Sequence, residues 1–286
     1  MTTPNMVDPA RTRLAVLGSP ITHSKSPILH AAAYEVLGLP WTYGTAEVRA
    51  GGLAEYVATR DSSWRGLSLT MPLKYEAIPA VARLDPVAAQ TGLVNTIYWD
   101  ENRVRHGYNT DVQGLLDALA AADVTAARRV LVLGGGATAA SAVRAAASLN
   151  PESILVAVRA PEKVAETNIG RLFDGPLSVR PLAWAQDALS VSDLVINTLP
   201  GGVDTGLTAP ATLEATQHLL EVAYDPWESA FAAAWSQAGG STVHGIDMLI
   251  HQAVRQIRIF VSGDAAQPLA DEQAVLKAMM LAVGRS

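Results

Sequence analysis

Lys74 and Asp111 are an ammonium and a carboxylate that close two polar-dense segments of this chain, and such a pair can handle a proton. An ammonium group can hydrogen-bond an oxygen on which negative charge builds and then give up a proton. A carboxylate orients such an ammonium and shares the proton relay. Lys74 follows Pro72 at an expected strand-to-helix junction, where its chain reaches over a sheet edge, and Asp111 opens an expected helix elsewhere in the first unit. The plain alternative for Lys74 is a surface lysine paired with an acid. Four short segments concentrate further polar groups: S-P-I-T-H-S-K-S-P over 19–27, L-T-M-P-L-K over 69–74, L-V-N-T over 93–96 and N-T-D over 109–111. Ligands of open α/β sheets bind at the carboxyl ends of strands, where all of these are expected except Asn95 of a hairpin. Each also has a structural explanation: Ser26 caps a helix, Thr70 sits in a strand, and Asn109 and Asp111 cap the next helix. Ser24 and Ser26 face one side if the segment is extended, beside the partial positive charge of a helix start, which suits a carboxylate.

A second chemistry lies at 134–139. The apolar run V-L-V-L over 130–133 ends in Gly134-Gly135-Gly136, followed by a small-residue helix, and Gly134, Gly136 and Ala139 fit the G-x-G-x-x-G/A dinucleotide fingerprint. Gly134 permits the tight turn, Gly136 lets a pyrophosphate approach the backbone, and Ala139 lets the helix pack close to the strand. The N–H groups of the helix start would bind the phosphates. The next strand ends Ala157-Val158-Arg159, with Lys163 a turn later and no acidic residue at the strand end. A basic residue there favours the 2′-phosphate of NADP over the free 2′-hydroxyl of NAD; the alternative is a solvated surface arginine.

The elements that must position these groups follow from periodicity. Strands are expected over 14–17, 41–48 and 66–71, a β-hairpin from 93–99 and 104–108 around the D-E-N-R turn, and a helix from Pro27 closed by Gly38. A helix over 111–122 begins where the first unit ends, and a second series starting at Arg129 brings strands at 130–133, 154–158, 194–197 and 219–222, and helices at 137–148, 246–259 and 274–283. Alternating strands and helices imply an α/β fold with largely parallel sheets.

Bulk properties narrow the class. With 286 residues, 49% hydrophobic and 17% charged, the chain has the size of two domains and the composition of folded cores. A net charge of −6 without a Lys/Arg run speaks against a general nucleic-acid binder. The absence of cysteine excludes disulfides, thiol catalysis and Cys-ligated zinc. Six histidines (His23, His30, His106, His218, His244, His251) show no metal-ligand spacing, so no metal is expected. Residues 1–10 lack the basic start and apolar core of a signal peptide, and no apolar run reaches membrane-span length, so a cytoplasmic protein without membrane partners is expected.

The order G-S-P-I-T-H-S-K-S-P, T-M-P-L-K, V-N-T, N-T-D, G-G-G-A and G-I-D-M-L-I-H-Q-A, spread over about residues 14–260, resembles the shikimate dehydrogenase family. The resemblance implies an N-terminal, mostly parallel α/β substrate domain over 1–111, a Rossmann-like NADP-binding domain over 112–245, and C-terminal helices over 246–286 returning to the substrate domain. It implies NADPH-dependent reduction of 3-dehydroshikimate to shikimate by a monomer or homodimer, in aromatic amino-acid and chorismate biosynthesis. By matching positions, Lys74 and Asp111 resemble the catalytic pair, and Ser24 and Ser26 the hydroxyls that hold the substrate carboxylate. Thr70, Asn95, Asp111 and Gln252 resemble the residues on the ring hydroxyls and carbonyl, Ser68 falls at a further substrate-binding position, and Tyr224 resembles a tyrosine near the carboxylate. Gly134, Gly135, Gly136, Ala137, Thr138, Arg159, Lys163, Asn197, Thr198 and Gly245 fall at cofactor-contacting positions. The chain departs from the family pattern at Ser68, where Asn is usual, at Val158 and Ala160 beside Arg159, at Ala137-Thr138 in the turn, and at Glu221 in place of Asp. Alternatives are an NAD-preferring quinate/shikimate dehydrogenase, an aminoshikimate-type enzyme, and a non-catalytic nucleotide sensor.

Overall fold

A computed structural model describes residues 12–164 and 167–285, so the reading of residues 1–10 lies outside the described residues. The chain divides into two compact units: one runs up to Thr110 and resumes at Ile250, the other is Asp111–Leu249.

The first unit contains β1 (Arg13–Gly18), α1 (Ser26–Val36), β2 (Thr42–Glu47), α2 (Leu53–Ala58), β3 (Trp64–Leu69), β4 (Arg83–Leu84), α3 (Pro86–Thr91), β5 (Thr96–Trp99) and β6 (Arg105–Tyr108). Its sheet runs β2-β1-β3-β5-β6-β4. β2, β1 and β3 are mutually parallel, as are β6 and β4, while β5 is antiparallel to both neighbours. From Leu14 to Leu17, β1 is buried at every position, the mark of a strand covered on both faces. Ala15 and Leu17 pack with Leu67, Leu69, Ile97 and Trp99 against Leu53 and Val57 of α2. Each fully buried leucine of this kind stabilises the fold by about 1.5–3 kcal/mol.

The second unit contains α4 (Asp111–Ala121), β7 (Arg129–Leu133), α5 (Ala137–Ala146), β8 (Ser153–Val158), α6 (Pro161–Val164), β9 (Leu177–Pro181), α7 (Ala185–Leu189), β10 (Leu194–Asn197), β11 (His218–Glu221), α8 (Ala230–Gln237) and β12 (Ser241–His244). Its sheet, β12-β11-β10-β7-β8-β9, is parallel throughout. The chain proceeds outward from β7 to β9, then crosses back and proceeds the other way from β10 to β12. The carboxyl ends of β7 and β10 therefore flank a topological switch point, where open α/β sheets bind ligands. α9 (Gly245–Ser262) leaves this unit, and α10 (Glu272–Ala282) packs on α1 in the first.

Four local expectations are corrected. Ser26 is not a helix cap: the backbone is already helical at Lys25, whose side chain makes no cap bond, and Ser26 is the first residue of α1. Its segment is for the same reason not extended through Ser24 and Ser26. β3 ends at Leu69 rather than Met71, so Thr70 lies beyond the strand. Lys74 is followed by turns and a short 3-10 segment, Ile78–Ala80, instead of an α-helix. Gly38 takes the left-handed conformation (φ 62°) just past the end of α1, as a closing glycine should. Among the described residues no helix is long and apolar enough to cross a membrane.

Candidate active site

In the first unit the antiparallel insertion of β5 decides which side chains meet. Thr96 lies opposite Ser68 of β3 and Tyr108 of β6, so the start of β5 shares a sheet edge with the ends of those strands. Asn95, the expected exception to the strand-end rule, thus stands beside the other polar segments. It is 1% exposed. Its Oδ1 accepts the Thr110 N–H at 2.9 Å and the Thr96 hydroxyl at 2.8 Å, and its Nδ2 donates to Thr110 Oγ1 at 2.9 Å and to Gln252 Oε1 at 3.4 Å. Gln252, buried on α9, joins this cluster through Asn95 and Thr110. Thr110 and Gln256 also belong to it and were not anticipated. Thr110 lies inside the N-T-D segment, and Gln256 is one helical turn beyond Gln252, so spacing could have found both.

Ser68 is buried, donates to Gln256 Oε1 at 2.8 Å and accepts from the Tyr43 hydroxyl at 2.6 Å. Ser26 is buried, while half-buried Ser24 accepts the Ser26 N–H through its Oγ at 3.3 Å. Thr70 donates its N–H to Leu17 O at 2.9 Å, and its own carbonyl accepts from Leu73 N–H, which folds the chain back. That turn delivers Lys74, only 8% exposed, with its carbonyl locked to Val94 N–H at 3.0 Å. Asp111 is the first residue of α4 and is 4% exposed.

In the second unit the glycine turn behaves as its sequence requires. Gly134 has φ 110°, and a Cβ there would fall 2.4 Å from Thr198 Oγ1, which itself donates to Leu133 O at 2.7 Å. A Cβ on Gly135 would press into Val164 and Val158. Gly136 occupies the cap position of α5 in extended geometry, offers no capping side chain, and faces open space. The first N–H groups of α5 thus lie behind a position that a phosphate can approach closely, and Ala139 is fully buried against the sheet. Ala137 and Thr138 form the first turn of α5. Arg159 is exposed directly beyond β8, with Lys163 exposed on α6. These groups fit a dinucleotide with a 2′-phosphate.

A cavity of about 510 Å³ opens at the ends of β7, β10 and β11, lined by Leu133, Asn197, Glu221, Ser229 and residues of the 199–209 loop. Asn197 donates to Glu221 Oε1 at 3.3 Å and accepts Leu199 N–H at 3.1 Å. Burial pushes the Glu221 pKa up, opposed by the hydrogen bonds from Ser229 and Asn197. Tyr224 follows β11 and is half-buried. Gly245 is a glycine for a local reason, since a Cβ there would lie 2.2 Å from Val222 O. Among the described residues no group of His, Asp and Glu side chains is arranged to hold a metal ion.

A glycine-turn nucleotide unit and a unit with buried amides, hydroxyls and a lysine at its strand ends together define a two-unit α/β protein of the dinucleotide-dependent dehydrogenase type. Residues 16–97 match the model of the shikimate dehydrogenase substrate binding domain. The chain is 33% identical over 278 residues to shikimate dehydrogenase (NADP(+)) of Moorella thermoacetica, covering 93% of each chain. It resembles the crystal structure of Mycobacterium tuberculosis shikimate dehydrogenase at 35% identity and a TM-score of 0.80, covering 94% of this chain and 99% of that one. A Thermus thermophilus shikimate 5-dehydrogenase, solved with NADP(H) and shikimate, is 28% identical with a TM-score of 0.78, covering 95% and 99%. The chain belongs to the shikimate dehydrogenase family.

Proposed function

We propose that this protein catalyses the reversible, NADPH-dependent reduction of 3-dehydroshikimate to shikimate. The observation that carries this reading is the burial of Lys74 in the turn after β3. An ammonium is seldom taken out of water without a partner or a task, and this one follows Thr70 within the same short turn. NADPH, when bound, supplies the hydride. Gly134, Gly135, Gly136, Ala137 and Thr138 receive its pyrophosphate, Arg159 and Lys163 its 2′-phosphate, and Asn197, Thr198 and Gly245 border the remainder. Ser24 and Ser26 hold the substrate carboxylate, while Ser68, Thr70, Asn95 and Gln252 hold the ring oxygens. Lys74 gives its proton to the developing alkoxide and takes it back in the reverse direction, and Asp111 is the carboxylate of the proton relay. We place the enzyme in the cytoplasm, as a monomer or homodimer supplying aromatic amino-acid precursors.

Lys74→Ala should lower kcat about 10²–10⁴-fold with little change in KM. If Asp111 acts with it as one catalytic group, the Lys74→Ala/Asp111→Asn double variant is no slower than the worse single variant. Near-normal turnover of Lys74→Ala sinks the assignment. Rates with shikimate and quinate, each with NADP and NAD, test the substrate and cofactor together: shikimate with NADP should give the highest kcat/KM.

A further inference from the structure

We propose that Tyr43 is a specificity-determining residue of the substrate site: its phenolic oxygen, held as an acceptor by Ser68 and Gln256, receives a hydroxyl of the substrate ring. The inference rests on the reading above and extends it to a residue outside every motif of the sequence.

The argument is one of proton direction. Asn95 Oδ1 accepts from both Thr110 N–H and the Thr96 hydroxyl. Thr96 has then used its only proton, so its oxygen accepts from Gln256 Nε2, at 2.9 Å. The same Nε2 also donates to the Asn95 carbonyl at 3.3 Å. The Gln256 amide is thereby fixed with its oxygen toward Ser68, which must donate, at 2.8 Å. Ser68 in turn can only accept from Tyr43, at 2.6 Å. At the end of this relay stands a phenol whose one proton is committed and whose oxygen retains acceptor capacity. A carboxamide at position 68 would present a donor and an acceptor together; the Tyr43–Ser68 pair presents an acceptor.

Position agrees with this role. The Ser26 side chain also hydrogen-bonds the phenol, which leaves its oxygen one lone pair for a further donor. The His30 ring stacks on Tyr43 at 3.8 Å between centroids and 16° between planes, which fixes the phenol's direction. Tyr43 is half-buried on β2, at the edge of the sheet. Burial raises its pKa, which keeps the hydroxyl protonated and the relay direction unchanged at neutral pH.

The test is Tyr43→Phe, which removes one oxygen and keeps the ring on His30. With shikimate and NADP, KM for shikimate should rise about 5–20-fold, with kcat within about twofold of wild type and KM for NADP unchanged. Shikimate analogues each lacking one ring hydroxyl give the decisive readout. For one analogue the difference between wild type and Tyr43→Phe should vanish, and for the others it should persist. An unchanged shikimate KM in folded Tyr43→Phe, or an equal loss on every analogue, overturns the proposal. Failure of the wild-type protein to turn over shikimate with either cofactor would instead overturn the reading of the whole site.

Discussion

Acidification should unfold the first unit through His30, and the size of the effect can be worked from its surroundings. The ring is 0% exposed, its Nδ1 lies 3.0 Å from Tyr34 Oη, and Tyr43 stacks on its face. Its Nε2 is buried without a properly directed partner. Burial lowers its pKa from 6.5 to about 3, with Gln256 offsetting this only in part. The folded state therefore keeps the ring neutral while the unfolded chain protonates it. Because the unfolded state binds the extra proton, this contribution to stability falls as pH drops below 6.5 and goes on falling until about pH 3. Each pH unit in that window removes about 1.4 kcal/mol, so going from pH 7 to pH 5 removes about 2 kcal/mol through this ring alone. The assay is urea denaturation at pH 7, 6 and 5 for wild type and His30→Asn. The substitution lowers stability at every pH by its packing loss, but its acid slope should be shallower than wild type by the same ~2 kcal/mol over the interval. Parallel slopes for the two proteins would refute the reasoning.

Other consequences can be measured directly. Ser24→Ala should raise KM for shikimate more than it lowers kcat, which steady-state kinetics will show. Arg159→Ala should weaken NADP by about tenfold or more while leaving NAD nearly untouched, read as the ratio of the two KM values. Gly134→Ala forces a side chain onto a φ of 110° and into Thr198 Oγ1. It should cost about 1–3 kcal/mol or more of stability and abolish cofactor binding, seen by denaturation and by NADPH fluorescence.

The nucleotide unit is the more legible half of this sequence. β7 and β10 read directly as V-L-V-L and L-V-I-N, because strands covered on both faces carry continuous apolar runs. The edge strands β9 and β12, written L-S-V-R-P and S-T-V-H, mix polar residues into a half-covered surface and give no such signal. α3 escapes notice although its ends are well marked. Asp85 accepts from the N–H groups of Val87 and Ala88, and Gly92 closes the helix in the left-handed conformation, but six residues are too few for a helical period to emerge. α2, α6, α7 and α8 are similarly short, and β4 is only two residues long. At the candidate site, Ser24, Ser26, Thr70 and Lys74 stand out by their crowding in short polar segments, while Ser68 stands out only as a departure from the family pattern. Tyr43 does not, because it sits on an edge strand whose alternation records only exposure, and its chemistry arises from β3 and α9 folding onto it.

The interrupted course of the first unit has a consequence for how the protein is made. Its sheet is complete on the ribosome long before Phe260, whose ring fills the space a Cβ on Gly66 would take, and before α10 can lie against α1. At ~5–20 residues per second, the intervening unit takes on the order of ten seconds to emerge. The nascent sheet must wait through that interval with an oily face uncovered, which makes it the stretch of this polypeptide that a ribosome-associated chaperone would be expected to shelter.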